Sequence, residues 1–156
     1  MRSSAGLSSL AIALSVVCMA PLANTAPPDD ACSLITQAQV SAALGASVAA
    51  GAYAAPTFTK TCTWNATTNG AGYVTLKLEG LDEYQGGKQI GQMKSVSVTS
   101  ISGIGDDAYY LAVGGNVGLI VKKGNVAFKV AVYAHLPLEQ KQAMEKTLAQ
   151  HVVSKL

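Results

Sequence analysis

The sequence predicts an α+β domain in which an antiparallel sheet of about six strands is flanked by N-terminal, central and C-terminal helices. Three observations lead to this fold class. Apolar residues alternate along several short segments, turn dipeptides such as Asn69-Gly70 and Gly124-Asn125 join those segments, and helical spacing marks both ends of the domain. Tight turns impose antiparallel pairing, and helices packed on one antiparallel sheet form an α+β layer.

Helices are predicted at three places. Thr36 and Gln39 are spaced as a capping box, and Gly45 stands where a left-handed C-terminal cap is needed, so a short helix lies between them. Residues 81–94 predict a central helix that several glycines weaken. The last helix begins at Pro137, a position that proline tolerates, and runs to near the C-terminus. Four of its polar residues are expected on its solvent-exposed face: Glu139, Lys141, Glu145 and Lys146.

Strands are predicted wherever β-branched and aromatic residues alternate with polar ones between turn signals. The six predicted strands cover residues 57–67, 73–79, 96–101, 107–113, 117–122 and 126–134. The segment 46–56 is small and apolar, and it is interpreted as a loop or a weak edge strand. No internal repeat or second domain is predicted.

The first 26 residues have the order of a secretory signal peptide: a short basic start, an apolar stretch over residues 10–20, then small residues and prolines. The apolar stretch is shorter than the ~20 residues of a membrane span, so an uncleaved anchor is the less favoured alternative. Cleavage is predicted between residues 20 and 26. Residues 27–31 are expected to form a linker and residues 32–156 a single domain.

Cysteine usage agrees with export. Val17 stands before Cys18, where a lipid-modified cysteine needs a small residue, so a lipid anchor is not favoured. Removal of the signal peptide leaves Cys32 and Cys62, and two cysteines of one small domain usually pair in an oxidising compartment. Metal binding is the alternative, but it needs further ligands and the sequence contains only two histidines.

The charge pattern argues against nucleic-acid and membrane partners. Eleven basic residues less Arg2, which lies in the signal peptide, leave ten lysines against nine acidic residues. A domain without arginine lacks the side chain best suited to bidentate recognition of phosphates and bases. Because the lysines form no basic stripe and no basic amphipathic helix, we expect neither a nucleic-acid partner nor binding to a membrane surface. The short apolar stretch of the signal peptide leads us to expect no stable membrane span after processing.

The chain offers no motif typical of a catalytic or cofactor site. Gly103-Ile104-Gly105-Asp106 lacks the further glycine and the following helix of a dinucleotide fingerprint, and it is interpreted as a turn. Asp106 and Asp107 are interpreted as solvated turn acids, because adjacent strand residues point to opposite faces. His135 and His151 have no nucleophile or carboxylate at a telling spacing. The sequence therefore predicts no catalytic residue, no cofactor and no metal ligand, and it does not favour an enzyme.

Aromatic residues supply the candidate binding surface. Trp64, the only tryptophan, shares a strand face with Cys62, and packing beside the disulfide in the core is favoured over an exposed binding role. The candidate surface residues are Tyr73, Tyr109, Tyr110 and Tyr133. The alternative is that these tyrosines lie beneath helices.

Three motifs together resemble a group of small bacterial envelope and secreted domains of unknown function. They are Cys32-Ser33-Leu34-Ile35-Thr36 before the first helix, Cys62-Thr63-Trp64 in the first strand, and Gly103-Ile104-Gly105-Asp106-Asp107-Ala108-Tyr109 at a later strand. Such domains occur in many actinobacterial lipoproteins and are similar in shape to the photosystem protein PsbP. The resemblance implies a disulfide between Cys32 and Cys62, and it carries no catalytic residue.

These observations predict an exported, non-catalytic binding or accessory module of the bacterial envelope, either periplasmic or secreted. Its partner would be another envelope protein or a small apolar ligand. The alternative is an inhibitor of a secreted hydrolase, such as a lytic enzyme or a protease. An apolar concavity between the sheet and the helices would favour the binding module, whereas an exposed loop or patch without a cavity would favour the inhibitor.

Overall fold

The computed structural model describes residues 27–55 and 57–156, so the predicted signal peptide and its cleavage site lie outside the described residues. The helices are α1 (Gln37–Leu44), α2 (Leu81–Gln89) and α3 (Leu138–Val153). The strands are β1 (Ala52–Ala55), β2 (Phe58–Asn65), β3 (Tyr73–Glu79), β4 (Val96–Ile101), β5 (Asp107–Val113), β6 (Asn116–Lys123) and β7 (Val126–Tyr133). Short 3-10 turns precede α1 at Ala31–Ser33 and follow α2 at Ile90–Gln92.

The strands form one antiparallel sheet in the order β1-β2-β3-β7-β6-β5-β4, which confirms the α+β class. Neighbours in the chain are neighbours in the sheet except at the centre, where β3 pairs with β7 instead of β4. This central pairing places Tyr73 opposite Tyr133 and Glu79 opposite Ala127. Helix α2 lies in the connection that crosses from β3 to the edge strand β4.

The sheet has seven strands rather than about six, and the additional strand is β1. All four of its residues are exposed and three are alanines, so the segment lacks the alternation of apolar and polar residues by which a strand is recognised in a sequence. An edge strand pairs with one neighbour only, and β1 pairs with β2 in a register that places Tyr53 opposite Cys62.

The main core lies between one face of the sheet and the helices α1 and α3. Its largest fully buried side chains are Trp64, Phe128, Ile35, Leu76, Leu119 and Leu148. Burial of large apolar side chains contributes roughly 1.5–3 kcal/mol each, so this layer supplies most of the driving force for folding. The predicted core position of Trp64 is confirmed, since its side chain is 1% exposed beside the fully buried Cys62.

The predicted disulfide between Cys32 and Cys62 is present and joins the first 3-10 turn to β2. Asp30 accepts a hydrogen bond from the Cys32 amide at 2.9 Å and so caps this turn. Ala31 is fully buried. Asp30 and Ala31 of the predicted linker therefore make contacts within the domain.

Helix α2 covers part of the opposite face of the sheet. A second buried cluster forms there from Tyr84, Tyr109, Ile120 and Ala127. The Tyr109 hydroxyl donates a hydrogen bond of 2.8 Å to the Tyr84 carbonyl, and Lys88 forms an ion pair with Asp107. The central helix is thus confirmed, although it ends at Gln89 and gives way to the second 3-10 turn.

Helix α1 is capped as its sequence predicts. The Thr36 hydroxyl accepts a hydrogen bond of 3.2 Å from the Gln39 amide, and the Gln39 side-chain oxygen accepts one of 2.8 Å from the Thr36 amide. Gly45 follows with a φ of 67°, the left-handed conformation in which glycine carries no steric penalty.

The predicted solvent-exposed face of α3 is wrong for two of its four residues. Glu139 and Lys146 are exposed, but Lys141 is only 8% exposed and Glu145 is fully buried. Residues 141, 145, 148 and 152 recur at helical spacing, so Lys141 and Glu145 share the face that packs Leu148 against the sheet. Among the described residues, none of the helices has the length and apolarity needed to cross a membrane.

Candidate functional site

A groove of about 560 Å³ opens at one end of the sheet, between the β2–β3 turn, the β5–β6 turn and the connection from β7 to α3. We call it the sheet-end groove. The side chains that line it are those of Tyr73, Asn116, Tyr133, Ala134, His135 and Lys141, and four glycines complete the wall. Because consecutive antiparallel strands reverse direction, turns that are far apart in the chain meet at this end.

Glycines bring the backbone segments of the groove close together. Gly72 has a φ of 94°, and a Cβ atom there would collide with the Tyr133 carbonyl. Gly114 and Gly115 both have positive φ, at 57° and 83°, as the tight turn between β5 and β6 requires. The rim of the groove is therefore backbone, with the side chains contributed by the strands and by α3.

Two tyrosines form an aromatic wall. The rings of Tyr73 and Tyr133 stack with their centroids 4.6 Å apart and their planes 17° apart. They can do so because the β3–β7 register places them directly opposite each other. Tyr73 is 38% exposed, while burial raises the pKa of the Tyr133 hydroxyl. The wall presents a flat apolar face of the kind against which rings stack.

The polar side of the groove is basic. Lys141 reaches it from the first turns of α3, and its ammonium group donates a hydrogen bond of 3.3 Å to the Gly115 carbonyl. His135 follows β7 and is exposed. No aspartate or glutamate is among the residues that line the groove.

Glu145 lies one helical turn beyond Lys141 and is fully buried. Its Oε1 atom accepts a hydrogen bond of 3.0 Å from the Val132 amide. Pairing between β6 and β7 ends at Leu119–Val130, so Val132 has no partner on β6. The Glu145 side chain accepts the hydrogen bond of the Val132 amide instead. The second oxygen, Oε2, has no hydrogen-bond partner among the described residues.

Burial raises the pKa of Glu145 to about 7, although the Val132 amide and the charges of Lys141 and Lys129 act in the opposite direction. Desolvation disfavours the charged form of a carboxyl group, and here it outweighs the favourable contacts. Charge on Glu145 contributes in turn to the raised pKa of Tyr110 and Tyr133.

The structure divides the four candidate tyrosines into two pairs. Tyr73 and Tyr133 line the sheet-end groove, whereas Tyr109 is fully buried and Tyr110 is 8% exposed. Strand β5 is internal and carries α2 on one face and α3 on the other, so its two tyrosines lie beneath these helices. The Tyr110 hydroxyl instead donates a hydrogen bond of 2.9 Å to the Gln142 carbonyl of α3.

Asp106 and Asp107 serve separate structural contacts. Asp106 accepts the Gly124 amide at 2.6 Å and lies 3.3 Å from the Lys123 ammonium, and these contacts lower its pKa. Asp107 pairs with Lys88 of α2, which lowers its pKa too. Across residues 27–55 and 57–156, no group of three or more histidine, cysteine, aspartate or glutamate side chains could hold a metal ion.

The two histidines are separated. His135 lines the sheet-end groove, whereas His151 lies on α3 and lines a different hollow with Gln39 and Met144. Sequence reasoning weighed His135 only as a catalytic group and missed Lys141 as a site residue. The helical spacing of residue 141 with the buried Leu148 is the signal that would have found Lys141.

No protein-family model matches this chain, and no curated protein matches it. A functional assignment therefore rests on the geometry of the sheet-end groove.

Proposed function

We propose that this protein is an exported, non-catalytic binding module of the bacterial envelope, and that a small molecule occupies the sheet-end groove. One observation carries the proposal: a concavity of about 560 Å³ with an aromatic wall and convergent polar groups. Small-molecule sites are usually clefts of roughly 300–1,000 Å³ with apolar walls and a few placed polar groups.

The way in which the groove is built supports a preformed site. Its tyrosines stand on β3 and β7, the two strands paired at the centre of the sheet. Lys141 is largely buried and bonded to the Gly115 carbonyl, so one long side chain is already ordered. Sites carried by strands and helices lose little conformational entropy when they bind a ligand.

Export is supported by the disulfide and by the order of the first 26 residues. A disulfide persists in an oxidising compartment such as the periplasm or the extracellular space. We propose further that the domain belongs with the small envelope domains whose shape is similar to PsbP. In support, Cys32 and Cys62 are bonded, Trp64 packs in the core, and Asp106 anchors the Gly103–Asp106 turn to Gly124.

The groove also supports this proposal over the alternative of a hydrolase inhibitor. A rigid inhibitor presents a convex loop or patch to its target, whereas a ligand-binding domain presents a concavity. The aromatic wall and Lys141 lie inside a concavity here.

The groove is tested by hydrogen–deuterium exchange on the full chain purified from its own host. One sample is analysed as purified, and the other after unfolding and refolding with its disulfide intact, which releases a non-covalent ligand. We expect slower exchange around Gly72, around Gly114–Gly115 and around Ala134 in the as-purified sample. Equal exchange in the two samples would contradict a ligand in the groove.

Substitution of Tyr73 tests the aromatic wall. Tyr73→Thr keeps a residue of high strand propensity but removes the stacking surface, so the difference in exchange is expected to disappear. Tyr53→Thr is the matched control, because Tyr53 is also 38% exposed on a strand but lies outside the groove. Loss of protection in both variants, or in neither, would argue against the groove as the site.

A further inference from the structure

We propose that the ligand of the sheet-end groove is a small organic anion that carries a ring, such as an aromatic or a sugar carboxylate. This inference rests on the proposed function and adds the chemical class of the ligand. Tyr73, Tyr133 and Lys141 line the same groove of about 560 Å³, a volume within the range of small-molecule sites, so one small molecule can contact the aromatic wall and the basic side together.

The ring is inferred from the aromatic wall. Tyr133 supports Tyr73 from behind at a centroid distance of 4.6 Å, which fixes the orientation of the outer ring before any ligand binds. Tyr73 retains 38% exposure although its partner is half-buried. A rigid, partly exposed aromatic face favours stacking with another ring, whether an aromatic ring or the apolar face of a sugar.

The negative charge is inferred from Lys141 and His135. An ammonium group has three donors, and among the described residues one hydrogen bond of Lys141 is found, the 3.3 Å bond to the Gly115 carbonyl. Glu145 lies one helical turn beyond Lys141 on α3, and it is not among the described residues that line the groove. An anionic group on the ligand would accept hydrogen bonds from the remaining donors of Lys141, and the His135 imidazole lines the same groove.

Other classes of ligand fit the groove less well. A cationic ligand would meet Lys141 without any carboxylate among the lining residues to neutralise it. A wholly apolar ligand would cover the ammonium group and return no hydrogen bond, which carries a desolvation cost. The small apolar ligand expected from the sequence is therefore replaced here by a ring with a negative charge.

The test uses benzoate and glucuronate as probes, with benzamide and glucose as their neutral counterparts. Binding is followed by the chemical shifts of backbone amides in the oxidised protein. We expect both anions to shift the amides of Gly114, Gly115 and Asn116, and to bind roughly five- to tenfold more tightly than their neutral counterparts. If benzoate alone binds, an aromatic carboxylate is the source of the anion, and if glucuronate alone binds, a sugar acid is.

A pair of charge substitutions places the anion. Asn116→Asp adds a negative charge to the groove at an exposed position, and it is expected to weaken anion binding roughly three- to tenfold without changing the binding of benzamide. Asn125→Asp adds the same charge at the exposed turn at the other end of β6 and should leave anion binding unchanged.

Three results would overturn the inference. Equal affinity for anions and neutral counterparts would remove the charge requirement, although binding in the groove would stand. Equal weakening in the Asn116→Asp and Asn125→Asp variants would show that the anions bind elsewhere. If no probe shifts the groove amides while the protein from its host still carries a ligand, the proposed site stands and the ligand belongs to another class.

Discussion

Glu145 is a fully buried carboxyl group on the face of α3 that packs the apolar Leu148 against the sheet. One of its oxygens is bonded to the Val132 amide, whereas the other has no partner among the described residues. A buried polar atom without a hydrogen bond costs about 1–3 kcal/mol, more when it is charged. Glu145 therefore completes the hydrogen bonding of β7 at an energetic cost that depends on its protonation.

The protonation of Glu145 makes stability depend on pH. Its pKa is about 7 in the folded protein, against an ordinary value of about 4.5, so the folded state binds a proton that the unfolded chain releases. The contribution of this residue to stability is then fully present below about pH 4.5 and declines as the pH rises to about 7, by up to roughly 3 kcal/mol.

Glu145→Gln is expected to remove this pH dependence while keeping an oxygen for the Val132 amide. Urea unfolding followed by Trp64 fluorescence reports the free energy of unfolding, because the only tryptophan is 1% exposed. The control is Glu139→Gln at an exposed position of the same helix, which should behave as the unmodified protein does. Similar pH profiles for Glu145→Gln and the unmodified chain would show that Glu145 is not the titrating group.

Helix α2 shows how tertiary contacts override local preference. Its nine residues include Gly86 and Gly87, each of which disfavours a helix by about 1 kcal/mol relative to alanine. The helix is held by the buried ring of Tyr84 against Tyr109 and by the ion pair between Lys88 and Asp107. Packing on the sheet therefore contributes more to the stability of α2 than the helix propensity of its residues does.

The two glycines of α2 predict opposite effects on stability. A Cβ atom at Gly86 has nothing within 4 Å, so Gly86→Ala should stabilise the protein by up to about 1 kcal/mol. A Cβ atom at Gly87 would collide with the hydroxyl of Tyr109, whose ring is buried. That hydroxyl also donates a hydrogen bond to the Tyr84 carbonyl of α2, so Gly87→Ala should destabilise the protein by about 1–3 kcal/mol. Urea midpoints of the two variants check the prediction, and a gain in stability for both would contradict the packing described for α2.

Elements with a strong local pattern could be predicted from the sequence. The bounds predicted for β4 and β5 agree with the structure, and the caps of α1 are where the sequence places them. Strand β1 could not be recognised as a strand with certainty, because its exposed alanines carry no alternation. The solvent-exposed face of α3 was assigned by residue type, and Lys141 and Glu145 show that position on the helix decides burial instead.

The sheet-end groove is a property of the whole molecule and could not be predicted from local patterns. It depends on the pairing of β3 with β7, whose opposed residues Tyr73 and Tyr133 are 60 positions apart in the chain. The sequence predicts Tyr73 and Tyr133 as candidate surface residues, but their stacking depends on the β3–β7 register, which local patterns do not predict. Lys141 joins them only because α3 packs back across the same end of the sheet.

The disulfide connects the N-terminal 3-10 turn to β2 across a separation of 30 residues. In the chain-entropy account, closing a loop of this length stabilises the folded state by about 3–4 kcal/mol. The double substitution Cys32→Ser with Cys62→Ser should lower the free energy of unfolding by that amount, as measured in urea. Reduction of the unmodified protein should have a comparable effect, and no loss of stability in either case would contradict a structural role for the disulfide.

The most direct test of an exported binding module is native mass spectrometry of the protein purified from the envelope or medium of its own host. We expect a chain that starts between residues 21 and 27 and is two hydrogens lighter than its reduced form. We also expect additional mass that dissociates on denaturation and is lost in the Tyr73→Thr variant. A chain without bound ligand, a lipid on Cys18 or two free thiols would contradict an exported binding module.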